Sequence, residues 1–105
     1  MSEVVTTLGV LRCSLRAAKE INLVFGSYGA AYKRITEYDF GAYIAIVAAG
    51  LGKSGKEVEV DVYNVGMPDL VRPLTDFLGL LSNGGRPPSL DGTEGTTAGA
   101  TAGER

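Results

Sequence analysis

The chain has 105 residues, with ten Lys and Arg against twelve Asp and Glu, and a net charge of −2. This length suits one domain with a modest core, and the basic residues are too scattered to form a surface for nucleic acid or an anionic membrane. The absence of histidine removes the commonest general base near neutral pH, and with only one cysteine it argues against an internal disulfide or a Cys/His zinc site. We therefore expect a non-enzymatic protein with no cofactor, no metal, and no nucleic-acid or membrane partner.

The N-terminal segment EVVTTLGVLRC is β-branched and short, which predicts an extended lead-in or a small hairpin. The first ten residues lack the features of a secretion signal, and the longest apolar run is too short to cross a membrane. A cytoplasmic location is the expectation.

The stretch LRAAKEINLVF predicts an amphipathic helix between Ser14, which offers an N-cap oxygen, and Gly26, which suits a helix end. At about 100° per residue, Arg16 and Lys19 form a small basic strip opposite the apolar side. The strip could meet an acidic partner, although a solvated helix face is the simpler interpretation. The apolar side is predicted to consist of Ala17, Ala18, Ile21, Val24 and Phe25.

Two further helices are predicted before the middle of the chain. The first, SYGAAYKRITEY, carries Tyr28 and Tyr32 four residues apart, a spacing typical of the rim of a core. Asp39 can cap the second, FGAYIAIVAAGL, which is apolar on every side. A helix without a polar face belongs in the middle of a bundle, so we expect it to be the central helix.

The stretch GLGKSGKE, which follows, resembles the phosphate-binding loop of a nucleotide hydrolase. If Gly55 and Lys56 are taken as the Gly-Lys pair, Glu57 stands where the magnesium-binding hydroxyl is needed. If the pair is placed so that Ser54 supplies the hydroxyl, Val47 stands where the first glycine is needed. Neither frame is complete, which favours a solvated turn.

Residues 57–65 can be a strand or a helix. Their valines alternate, as in a strand, but Val58, Val62 and Val65 also fall on one face of a helix. The alternating carboxylates of this segment could serve as metal ligands or as an acid/base pair. A solvated edge is favoured, because nothing nearby completes a site.

The last helix is predicted to begin at Pro68 and to stop at SNGG, with Pro73 bending it. About half of its circumference is apolar, which is wider than one helix contact needs. We therefore predict that part of this face binds a partner, and Leu80, at its margin, is the residue most expected to remain free. The predicted partner-binding residues are Val71, Phe77, Leu80 and Leu81.

The composition changes after residue 85. Residues 86–105 are rich in Pro, Gly, Thr and Ala and contain one large aliphatic residue, Leu90. Such a segment buries too little apolar area to offset its ordering entropy, so it is predicted to be a disordered tail behind a folded domain of residues 1–85. The predicted fold is mainly α, a small bundle of about four to five helices with a short β-type N-terminal lead-in or hairpin.

This order of elements resembles the tail assembly chaperones of tailed bacteriophages and gene transfer agents. The resemblance covers residues 8–85 and depends on LRCS, LVFG, YDFGAYIAIVAAGLGKSG and LTDFLGLLSNGG. Its most specific part is the apolar helix that runs into AAGLG and a glycine-rich loop. The lead-in is shorter than the N-terminal hairpin of such proteins, and the helical second half of the family favours helix for residues 57–65.

The resemblance implies a protein that binds helical segments of the tape measure protein during tail assembly and is absent from the mature particle. In many relatives a ribosomal frameshift makes a longer product with a second domain. The alternatives are a structural tail component, such as a tail tube or tail completion subunit, and a general helical adaptor or dimerisation module that self-associates through its last helix.

Overall fold

A computed structural model describes residues 3–86 of the chain. These residues form a mainly helical fold in which an antiparallel hairpin precedes five α-helices, so the predicted fold class is confirmed. In chain order the elements are β1 Glu3–Thr6, β2 Gly9–Arg12, α1 Leu15–Phe25, α2 Tyr28–Thr36, α3 Phe40–Leu51, α4 Gly55–Val65 and α5 Met67–Ser82. Of the tail predicted for residues 86–105, only Arg86 belongs to the described part, and residues 87–105 lie outside it.

The N-terminal segment is a hairpin and not merely an extended lead-in. Its strands pair in the register Glu3 with Arg12 through Thr6 with Gly9. The Thr6 hydroxyl stabilises the turn, because it accepts the Leu8 N–H at 3.0 Å and donates to the Gly9 carbonyl at 2.7 Å. Leu11 on β2 is fully buried and joins the hairpin to the helical core.

Four of the five helices begin at a side chain that caps a free backbone N–H. Ser14, Ser27, Asp39 and Ser54 each accept the N–H of the residue three positions later, at 3.0, 3.0, 3.3 and 3.3 Å respectively. Short polar side chains are favoured at this position because they satisfy donors that have no partner inside the helix. The caps predicted at Ser14 and Asp39 are therefore confirmed.

The alternating valine segment is helical. In α4, Val58 and Val62 are buried, whereas Val60 is 63% exposed, as expected for a helix and not for a strand. The start of the helix is a capping box, in which Glu57 accepts the Ser54 N–H at 3.1 Å while Ser54 accepts the Glu57 N–H.

The same capping box accounts for the segment that resembles a phosphate loop. Gly50 and Leu51 are the last residues of α3, and Gly52 ends that helix with φ of 71°. Only residues 52–54 connect α3 to α4, and the Ser54 hydroxyl is engaged with Glu57. The glycine-rich stretch is thus a helix end, a short connection and a helix start.

The core surrounds α3, as predicted for a helix without a polar face. It packs against β2 and against the other four helices. Tyr43 of α3 is fully buried, and its hydroxyl donates to the Ile35 carbonyl at 2.6 Å, which ties α3 to the last turn of α2. The largest fully buried side chains are Tyr43, Phe77, Leu11, Ile21, Ile35, Ile46, Leu70, Leu74, Leu78, Val47, Val58 and Val62.

Candidate partner-binding surface

The residues predicted to bind a partner all lie on α5, but they do not share an exposed surface. Phe77 is fully buried and Leu81 is 6% exposed, so both are core residues. Val71 and Leu80 are half-buried and pack against the core. The role of these four residues in partner binding stays a prediction, and only Val71 and Leu80 present substantial surface to solvent.

The wide apolar face of α5 is used largely inside the domain. This helix packs against α1, α2, α3, α4 and β1, so neighbours meet it on several sides. Leu80, expected to be free, lines a cleft in which Glu3 and Val4 of β1 face Thr75 and Asp76 of α5. The width of the face therefore reflects the number of internal neighbours, which the helical wheel of α5 alone does not reveal.

Large apolar side chains are instead exposed on α1. Leu15 is 74%, Leu23 85% and Val24 60% exposed. Ala17 and Ile21 are the side chains through which α1 enters the core, and Phe25 is half-buried beside them. We name the exposed side of this helix the α1 outer face; it comprises Leu15, Arg16, Lys19, Glu20, Leu23 and Val24.

Val24 departs from the prediction that it belongs to the apolar inner side of α1. It is 60% exposed and lies in a cleft between α1 and α3 that Gly41 and Ile44 of α3 also line. Leu15 and Leu23 lie outside the predicted core side of α1, so that prediction does not include them. The i, i+4, i+8 row formed by Leu15, Lys19 and Leu23 is the sequence signal that identifies them.

The charge on the α1 outer face is mainly positive. Arg16 and Lys19 are exposed, and the first turn of the helix contains no acidic residue. Lys53 and Glu20 line one cleft at the side of this face. Within residues 3–86 the single ion pair is Arg34 with Asp39, at 2.7 Å, so none of the charges on or beside the face is neutralised by an ion pair.

A second exposed apolar surface lies where α3 and α4 meet. The rings of Phe40 and Tyr63 stack edge to face, with centroids 6.4 Å apart and planes at 79°. Tyr63 is 75% and Val60 63% exposed, and both project from the side of α4 that faces away from the core. We name Phe40, Val60 and Tyr63 the aromatic patch.

Few groups in the described part are arranged for chemistry. Cys13 is a free, buried thiol, and burial raises its pKa, which keeps it protonated and unreactive near neutral pH. Among residues 3–86, no three His, Cys, Asp or Glu side chains lie close enough together to hold a metal ion. No helix in this range has the length and apolar character needed to cross a membrane.

Comparison of the chain with protein-family models, with curated proteins and with solved structures gave no match.

Proposed function

We propose that this chain is a non-enzymatic tail assembly chaperone of the phage and gene transfer agent type, which covers apolar helical segments of a tape measure protein during tail assembly. The observation that carries the proposal is the exposure of Leu15, Leu23 and Val24 on one helix of a domain that already has a complete core. The order of elements from the hairpin to α5 supports it through the resemblance described above.

Exposed apolar residues of this kind suit a helical client. A tape measure protein carries apolar helices that would aggregate before the tail tube encloses them, and a small helical domain can cover such helices side by side. Six of the eight large apolar side chains exposed in the described residues lie in two small surfaces, the α1 outer face and the aromatic patch, and the other two are Val5 and Tyr38. Small surfaces favour weak, reversible binding, which a chaperone needs because the tube must displace it.

The proposal places the protein in the cytoplasm of the producing bacterial cell and not in the finished particle. A structural tail component would instead remain in purified particles, where mass spectrometry detects it. Finding this chain in particles at the stoichiometry of a tube or completion subunit would contradict the chaperone proposal.

Co-expression tests the proposal directly. We expect the tape measure protein encoded beside this chain to be insoluble alone and to move into the soluble fraction when the chain is co-expressed. The two proteins should then co-elute in size-exclusion chromatography. A tape measure protein that stays insoluble, together with tight self-association of this chain in sedimentation analysis, would contradict the proposal and favour a helical adaptor or dimerisation module.

A further inference from the structure

We propose that the α1 outer face is a docking site for an amphipathic helix whose apolar stripe is flanked by acidic residues. This inference rests on the proposed function and deepens it, because it names the surface of the chain and the chemistry of the client segment. The surface differs from α5, to which the sequence pattern had assigned partner binding.

The apolar part of the α1 outer face has the dimensions of a helix contact. Leu15 and Leu23 lie two turns apart on the same row, which at a rise of about 1.5 Å per residue separates them by about 12 Å. With Arg16, Lys19 and Glu20 between them they form an open surface along one side of the helix. A partner helix laid along this surface places apolar side chains at i, i+4 and i+7 against the two leucines.

The charges on the α1 outer face favour an acidic partner. Lys19 stands between the leucines and Arg16 stands beside them, against one carboxylate on this face, that of Glu20. Lys53, at the neighbouring cleft, already has an attractive electrostatic interaction with Glu57. The Arg16 guanidinium extends toward Gly52, at the carboxyl end of α3. Acidic side chains on the partner would therefore meet two cations, Arg16 and Lys19, that form no ion pair within the described chain.

The aromatic patch lacks this selectivity. Its two α4 residues, Val60 and Tyr63, share their helix with one exposed cation, Lys56, and with three exposed carboxylates, those of Glu57, Glu59 and Asp61. An acidic partner would therefore not be favoured there. The patch is the appropriate control surface, since it is apolar, exposed and helical but is surrounded mainly by negative charge.

The first experiment uses two peptides with the same helical leucine pattern, one carrying Glu and the other Lys at the flanking positions. Each is titrated into the isotopically labelled full chain and followed by amide chemical shifts. We expect the Glu peptide to shift the amides of α1. Its Kd should rise several-fold between low and high salt, because salt screens attraction between exposed charges at the edge of the contact. Equal shifts of the α1 amides by both peptides, or Glu-peptide shifts confined to α4, would overturn the proposal.

Variants of exposed residues test the surface. Leu23→Asp should weaken binding of the Glu peptide by at least about tenfold, as loss of a central apolar contact does. Lys19→Glu should weaken binding of the Glu peptide and strengthen binding of the Lys peptide. Misfolding would not produce this reversal. The matched control Val60→Asp should bind the Glu peptide with the affinity of the parent chain. An equal loss of affinity in this control would overturn the assignment of the site to α1.

The same variants separate this inference from the proposed function. If both Leu23→Asp and Val60→Asp still solubilise the tape measure protein in co-expression, the chaperone proposal stands and the α1 site is wrong. If the Glu peptide binds α1 but the parent chain does not solubilise the tape measure protein, the site stands and the chaperone proposal is wrong. Binding of α1 to phosphatidylglycerol vesicles in preference to the Glu peptide would overturn the site in favour of a lipid surface.

Discussion

Gly50 shows how a single missing side chain lets three elements meet. It lies in α3, where a Cβ atom would stand 2.8 Å from Leu11 Cδ2 of β2 and 3.1 Å from Phe77 Cζ of α5. Both neighbours are fully buried, so neither can move away without disturbing the core. Glycine is a poor helix former, and its presence here is explained by this close approach.

We expect Gly50→Ala to destabilise the domain, although alanine favours the helical conformation by about 1 kcal/mol. Overpacking against Leu11 and Phe77 costs about 1–3 kcal/mol, and it outweighs the gain in propensity. The control is Gly41→Ala in the same helix, where the nearest atom to the new Cβ is 3.5 Å away. That variant should be neutral or slightly stabilised, and urea denaturation followed by circular dichroism measures both. A stabilised Gly50→Ala would show that the core at this point is loosely packed.

At the scale of the element, α4 shows that local pattern and tertiary packing can favour different structures. Its valines alternate at positions 58, 60 and 62, which is the pattern of a strand with one buried face. In the structure the capping box at Ser54 starts a helix, and Val58 and Val62 enter the core one turn apart. Among the described elements, α4 packs chiefly against α3 and α5, which offer it apolar surface, and not against the hairpin.

The helical phase of α4 predicts opposite results for two chemically identical substitutions. Val58→Asp buries a charge that has no partner and should cost about 3–5 kcal/mol or prevent folding. Val60→Asp places the charge in solvent four residues after Lys56 and should change stability by no more than about 0.5 kcal/mol. A strand would bury both valines on the same face. Similar losses of unfolding free energy in the two variants, measured by urea denaturation, would therefore contradict the helix.

At the scale of the whole molecule, two helix-start carboxylates link stability to pH. The hydrogen bond from Arg34, with that from the Ala42 N–H, holds the pKa of Asp39 below its ordinary value of 3.8. The Ser54 backbone N–H and hydroxyl hold the pKa of Glu57 below its ordinary value of 4.5. In both cases the unfolded chain binds protons more readily than the native one, so acid favours unfolding.

The stabilising contribution of these carboxylates should be complete above pH 4.5 and should decline as the pH falls through their lowered native pKa values. The double variant Asp39→Asn with Glu57→Gln keeps amide oxygens for capping but cannot titrate. We expect its free energy of unfolding to fall less steeply with acid than that of the parent. An unchanged slope in the double variant would show that other groups control acid unfolding.

Local sequence determined where α1 and α3 begin and that α3 is central. Ser14 and Asp39 were recognisable as caps because a cap depends on backbone groups only three residues away. The absence of a polar side on α3 likewise identified the central helix, since such a helix is stable in water only when neighbours surround it. Both features depend on short-range chemistry, which a linear sequence contains.

Only the tertiary structure decided which apolar surface is covered. The breadth of the α5 face was visible in the sequence, but its use by the hairpin and four other helices was not, because those contacts join residues far apart in the chain. Burial therefore removed Phe77 and Leu81 from the accessible surface and left Leu15 and Leu23 of α1 exposed. The apolar surface available to a partner is the surface that internal packing leaves exposed to solvent, and only the assembled fold determines where that surface lies.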